Sequence, residues 1–274
     1  MKSLKGQISV FICAMCLSPM YSFANDMTYV DSCGVNSNAD YETLIVTEDI
    51  VGTATDYTCI TITHEHVTLD CQDYYLINTS GGLSQGIVVG DTGNFVTIKR
   101  CKLQNWFRSI TQKADDGLID KNEVVNGGWG IALSLANNNE VRRNRVENQS
   151  WDGIAVIQSH NNFFWQNRSY NNPARGILLD GSDSNDLVKN RFQNNSGGIY
   201  VIGSNENNLV GNAATLNDSF GIKLSSSYDN IVTDNRVMKN DIGIEEQGEE
   251  MNNIFEDNIC VKNITDSNVP DACD

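Results

Sequence analysis

Short apolar alternations, separated by polar stretches rich in asparagine, run through most of the chain. Three of them read NNEVRRNRV from Asn138, NNFFWQNRS from Asn161 and SNDLVKNRF from Ser184. Asparagine is a poor residue for strand and helix interiors, yet here it returns at one phase of the pattern. With the later asparagine of each block as position zero, the series is Asn122, Asn144, Asn167, Asn190, Asn212, Asn235 and Asn258, with Lys99 as an imperfect first member. The steps between the asparagines are 22 or 23 residues. Three residues earlier stand Val96, Ile119, Val141, Phe164, Leu187, Leu209, Val232 and Phe255. Two residues later the column runs from Cys101 through Val124, Val146 and Phe192 to Cys260. A Gly-Ile pair lies 13 to 15 residues upstream, from Gly86-Ile87 to Gly243-Ile244, with Ser109-Ile110 filling one place.

Alternations such as GIALSL and GIYVI, bounded by turn formers, predict strands. A period of this length predicts a solenoid. One block cannot bury its apolar side alone, whereas stacked blocks can. Strands at the same phase then lie side by side and parallel, about 4.8 Å apart. The fold class predicted is all-β: a right-handed parallel β-helix of about nine or ten coils, the hand following from parallel crossovers. The apolar columns at −3 and +2 are an odd number of residues apart, so the chain must bend between them. Asparagine tolerates the left-handed conformation of such a corner, and its amide can bond to the coils above and below. A column at +5 (Gln149, Asn172, Asn195, Asn217, Asn240, Asn263) predicts another corner.

The ends differ. MKSLKGQ, the apolar run ISVFICAMCLSPMY and Ser22-Phe23-Ala24 read as a secretory signal peptide, with cleavage after Ala24. The expected organisation is a signal peptide over 1–24, an N-terminal cap over 25–60, the β-helix over 61–258 and a C-terminal cap over 259–274. Loss of Lys2 and Lys5 with the leader takes the net charge from −16 to −18. A secreted chain this acidic is ill suited to nucleic acid or anionic membranes, and the mature chain has no apolar run long enough to insert in a membrane. Six cysteines follow the leader, an even number that predicts disulfides in an oxidising compartment. Cys260 ends the +2 column and Cys273 lies in the tail beyond the last repeat, so a Cys260–Cys273 bridge would hold the C-terminal cap. Cys33, Cys59, Cys71 and Cys101 would pair among themselves or leave Cys101 free.

The GIxΦ…NNxΦxxNxΦ blocks, over Thr61 to Ile259, resemble the repeats of NosD-like periplasmic copper-binding proteins. They also resemble the wider pectin-lyase-like class of secreted carbohydrate-binding and sugar-hydrolase β-helices. The resemblance implies a secreted or periplasmic protein binding a carbohydrate polymer along its long face. It also leaves open a polysaccharide lyase, epimerase or hydrolase acting on a uronate-containing glycan, or a non-enzymatic structural or accessory surface protein. No Asp-Pro-His motif of the epimerase kind and no paired-aspartate hydrolase motif maps onto the chain, so enzymatic activity stays undecided.

Chemistry would sit on the outward columns. Position +1 reads Arg100, Glu123, Arg145, Arg168, Arg191, Ala213, Arg236 and Ile259. Arg145, Arg168 and Arg191 form a cationic stripe able to track carboxylates, unless neighbours such as Glu140, Glu147 or Asp186 neutralise it. A second line, Val88, Ala132, Ala155, Leu178, Tyr200, Lys223 and Glu245, faces outward beside the Gly-Ile pairs. Trp129, Trp151 and Tyr200 there offer rings to stack on sugars, with Trp106 extending the edge, and Asp152 and Arg175 are the candidate catalytic pair. KADDGLIDKNE places Asp116, Gly117, Asp120 and Glu123 at partly usable calcium-loop spacing, although Ile119 and Val124 belong to the core columns. Calcium is therefore the one cofactor left open. His64 and His66, alternating on a strand in THEHVTL, are weak metal candidates.

Overall fold

In a computed structural model that describes residues 26–52, 58–249 and 251–273, the chain winds into a right-handed parallel β-solenoid of about ten coils. The expected signal peptide lies outside the described residues. One coil shows the plan. Glu140–Arg142 runs in sheet A, Arg145–Glu147 in sheet C and Ile154–Ile157 in sheet B. Repetition gives sheets A, C and B of 11, 10 and 11 strands, with parallel pairing between successive coils. Among the described residues there is no helix, and so none that is long and apolar enough to cross a membrane. Residues 26–52 and 259–273 hold the first and last strands of the stack.

The apolar columns point inward as their periodicity requires. Val141, Val146, Ile154 and Val156, one coil's inward set, have no measurable exposure. Each such side chain contributes about 1.5–3 kcal/mol on burial. The Gly-Ile pairs are explained by the same core. A Cβ on Gly130 would stand 2.3 Å from Val146 Cγ1, and one on Gly176 would stand 2.6 Å from Phe192 Cδ1. The glycine leaves room where sheet B turns in against the +2 column of sheet C.

The corners are ladders, and there are more of them than the sequence reading identified. At position zero, the Asn167 backbone N–H and Nδ2 donate to Asn190 Oδ1, and the same pattern runs from Asn122 to Asn258. The +5 column forms a second ladder from Gln149 to Asn263. The residues five before position zero form a third, from Asn139 to Asn253. Ser159, Ser182, Ser204 and Ser227 make a shorter fourth.

Two details of the expected corner are corrected. The left-handed conformation falls on the residue before each ladder asparagine, as at Arg143, Gln166 and Lys189, and not on the asparagine itself. A left-handed non-glycine residue costs about 1–2 kcal/mol, and the buried amide that follows supplies the hydrogen bonds that offset it. The first repeat also slips by two residues. Lys99 pairs with Asp120, so Cys101 and not Lys99 stands opposite Asn122, and Cys101 N–H donates to Asn122 Oδ1. Lys102 therefore replaces Arg100 at the head of the +1 column, and Arg100 binds Asp70 instead.

Three disulfides join Cys33 to Cys59, Cys71 to Cys101 and Cys260 to Cys273. Each of the first two links neighbouring coils, and the third ties the tail to the last inward column. Trp106 is not on the surface edge: it is fully buried, and its Nε1–H donates to the Leu76 carbonyl.

Candidate functional site

Sheet B presents two outward columns, because a glycine and an isoleucine point inward in succession between them. Register places Arg108 beside Gln85 and Trp129, and Arg175 beside Gly197, which neighbours Phe220. The second column holds Val88, Thr111, Ala132, Ala155, Leu178, Tyr200, Lys223 and Glu245 in order. Ala132, Ala155 and Leu178 face outward yet are buried, while Trp129, Arg175 and Tyr200 around them stay part-exposed. The expected flat floor is thus overlaid by its larger neighbours.

Those neighbours follow one another from coil to coil. The Arg108 guanidinium lies 4.9 Å from the Trp129 ring centre, and Trp129 meets Trp151 edge-on at 6.4 Å. Trp151 is 53 % exposed. Further along, Arg175 lies 5.8 Å from the Tyr200 ring, Tyr200 is 5.7 Å from Phe220, and Lys223 sits over both rings. Lys223 also pairs with Glu245 at 3.2 Å. Arg108 Nε, Thr111 Oγ1 and Trp129 Nε1, on adjacent strands at one end, have no hydrogen-bond partner among the described residues. Beside that end a depression of about 360 Å³ has a glycine floor (Gly81, Gly82, Gly127, Gly128) and aromatic walls in Phe107 and Trp151. The sequence reading missed this corner. Its signal was the pair of GG doublets, 46 residues or two coils apart.

Asp152 and Arg175 do meet. Arg175 Nε and an Nη donate to the two oxygens of Asp152 at 2.6 and 2.8 Å, and the Arg175 backbone N–H adds a third bond at 3.1 Å. Asp152 is 3 % exposed. Its hydrogen bonds raise the Arg175 pKa above the ordinary arginine value, so the guanidinium is permanently charged and fixed. We expect Asp152→Ala to destabilise the protein by about 2–4 kcal/mol, because the fixed cation loses its buried counter-charge. Asp152→Asn should cost less, since the amide oxygen still accepts. Denaturant unfolding of both variants checks this order.

The stripe lies on sheet C, around a corner from the strip. Glu123, Arg145, Arg168, Arg191, Ala213, Arg236 and Ile259 are direct cross-strand neighbours in that order. Arg145 pairs with Glu147 at 2.9 Å and Glu123 at 3.6 Å, and touches the Tyr170 hydroxyl. Among the described residues the expected neutralisation goes no further along the stripe, because Glu140 binds Arg142 and Asp186 binds Asn208.

Among the described residues no three His, Cys, Asp or Glu side chains converge into a metal-holding group. Asp120, from the calcium-like stretch, binds Arg142 and Arg143. His64 and His66 lie in a turn and not on a strand. His64 meets the Ser37 hydroxyl, and His66 is stacked between Tyr41 and Phe95.

Residues 85–217 and 189–268 match the family described as right handed beta helix region. No curated protein sequence matches the chain. Among solved structures, the Dettilon tailspike protein (gp208) is similar over 86 % of this chain and 53 % of its own, at 15 % identity and a TM-score of 0.68. The periplasmic alginate epimerase AlgG is similar over 84 % of this chain and 65 % of its own, at 16 % identity and a TM-score of 0.61. The Azotobacter vinelandii mannuronan C-5 epimerase AlgE6 A-module is similar over 91 % and 89 %, at 13 % identity and a TM-score of 0.60. The chain thus spans about half of the tailspike and under two thirds of AlgG. At these identities the likeness is one of fold.

Proposed function

Since the chain belongs to the right-handed β-helix family, we propose that it is exported after loss of residues 1–24 and binds a carbohydrate polymer along the outer face of sheet B. One observation carries this reading: rings and fixed charges follow one another from coil to coil on that face, from Arg108 and Trp129 to Phe220 and Lys223. Rings stack on the apolar faces of sugars, and fixed charges orient the hydroxyls and carboxylates between them. Trp151, half-exposed above a glycine-floored depression, is the leading platform. When the Arg108 side chain moves off Trp129, the unpartnered Arg108 Nε, Thr111 Oγ1 and Trp129 Nε1 can bond sugar hydroxyls. Three disulfides suit an oxidising compartment. Similar folds named as alginate and mannuronan epimerases support a polysaccharide ligand.

In this reading Asp152 is the anchor of Arg175 and takes no part in proton transfer. A general acid or base needs an oxygen within hydrogen-bonding reach of substrate, and both of its oxygens already accept from Arg175. A glycan array probed with wild type and Trp129→Ala/Trp151→Ala tests the proposal, alongside an assay for new reducing ends or unsaturated uronates. We expect wild type to bind a polymer without turnover, and the double variant to bind roughly tenfold more weakly or less. Absence of glycan binding, or product formation, would reject it.

A further inference from the structure

On sheet C, Arg145, Arg168 and Arg191 stand directly opposite one another on consecutive strands, about 4.8 Å apart. Two depressions, of about 420 and 490 Å³, flank the column and share all three arginines. Lys189 lines the first, and Tyr170 and Asn194 line the second.

Like charges directly opposite in a sheet are destabilising. The chain does not lack acids to relieve them, with 35 Asp and Glu against 19 Lys and Arg. Elsewhere it uses them, in Asp152–Arg175, Asp120–Arg143 and Asp70–Arg100. Here Arg145 is neutralised. Among the described residues, Arg168, Lys189 and Arg191 have no carboxylate at ion-pair distance. Three uncompensated cations in one groove of an acidic protein leave a place for an external anion.

We propose that this groove binds a polysaccharide bearing repeated carboxylate or sulfate groups. The arginine fork matches either group in a bidentate fashion, and a column with one arginine per coil matches anions repeated along a chain. The neutral lining fits the sugar between them: Gln166 in the first depression and Gln193, Asn171 and Asn194 in the second offer amides to hydroxyls. Tyr170 keeps its proton, because burial and its hydrogen bond to Glu147 push its hydroxyl up to about 12. The net charge of −18 left without residues 1–24 repels polyanions at a distance, which makes binding depend on the local groove. The inference rests on the polysaccharide reading above, but it concerns a different sheet and can fail independently.

The test is retention of wild type, Arg168→Gln/Arg191→Gln and Trp129→Ala/Trp151→Ala on immobilised alginate, dextran sulfate and neutral dextran at low and high salt. We expect wild type to be held by an anionic matrix at low salt, released by salt and passed by neutral dextran. Holding on alginate assigns the carboxylate, and holding on dextran sulfate alone assigns the sulfate ester. The arginine variant should lose retention roughly tenfold or more, while the tryptophan variant keeps the salt-sensitive part. With no ligand present, the arginine variant should melt no lower than wild type, because repulsion has been removed. Failure of wild type to bind either anionic matrix would overturn the proposal. So would undiminished retention of the arginine variant, a lower melting point for it, or equal wild-type binding to duplex DNA. Loss of glycan-array binding by the tryptophan variant bears only on the sheet B reading.

Discussion

Asn190→Leu lowers the melting temperature by roughly 6–12 °C, the shift that about 3 kcal/mol produces in a chain of this size. The size follows from what the amide holds. Asn190 Oδ1 accepts from the backbone N–H and the Nδ2 of Asn167 at 2.9 and 3.0 Å. Its Nδ2 donates to the Phe164 carbonyl at 2.9 Å and to Asn212 Oδ1 at 3.1 Å. Leucine fills the space but leaves these groups buried without partners, and each such group costs about 1–3 kcal/mol. Some relaxation brings the sum down. The left-handed Lys189 before it loses the bonds that offset its strain. Differential scanning calorimetry checks the shift, and an unchanged melting temperature would remove the corner from the account of stability.

Gly130→Ala is expected to cost about 3 kcal/mol or to prevent folding, at the upper end of overpacking effects. The new methyl would lie 2.3 Å from the Gly153 carbonyl oxygen and 2.3 Å from Val146 Cγ1. The valine has little room to rotate in a packed core, and the carbonyl belongs to the backbone of the next coil. Gly203→Asn is the control. Gly203 has a φ of +53° and open space around it, and asparagine tolerates that conformation, so the change should stay within about 0.5 kcal/mol. Urea unfolding of the two variants side by side separates close packing from backbone freedom. Equal stabilities would contradict the reason given for the Gly-Ile pairs.

The fold was legible because a solenoid writes its core once per coil. A position such as Val141 or Phe164 is legible from its fellows seven times over, even where a single block is ambiguous. The first coils were harder. The repeat there is 21 residues at Lys99 to Asp120, so counting at 22 or 23 shifted Cys101 off its ladder and put Arg100 into a column that belongs to Lys102. Trp106 was misplaced for a related reason: an isolated tryptophan has no column to reveal its face. The third ladder was missed because Asn139 and its kin look like ordinary turn residues, and only the closed coil shows their amides pointing inward.

The outward faces were legible as columns and opaque as chemistry. Parity put Tyr200 and Lys223 in line with Ala155, but it could not say that Asp152 would be saturated by Arg175. Nor could it say that Glu147 and Glu123 would neutralise Arg145 while leaving Arg168 and Arg191 bare. Those outcomes depend on rotamers and on which of several acids lies within reach. The depression beside Trp151 depends on two corners two coils apart, Gly81-Gly82 and Gly127-Gly128, coming together only when the coils stack.

A polymer lying along the outer face of sheet B makes affinity depend on ligand length. From Arg108 to Phe220 the strip crosses five strand-to-strand steps, about 24 Å at about 4.8 Å each. Calorimetric titration with a length series of the best array ligand should show affinity rising with each added sugar until the oligomer covers that distance, then levelling off. The gain should be largely absent in Trp129→Ala/Trp151→Ala. Affinity already maximal for a mono- or disaccharide, or a length series unaffected by the double variant, would contradict it.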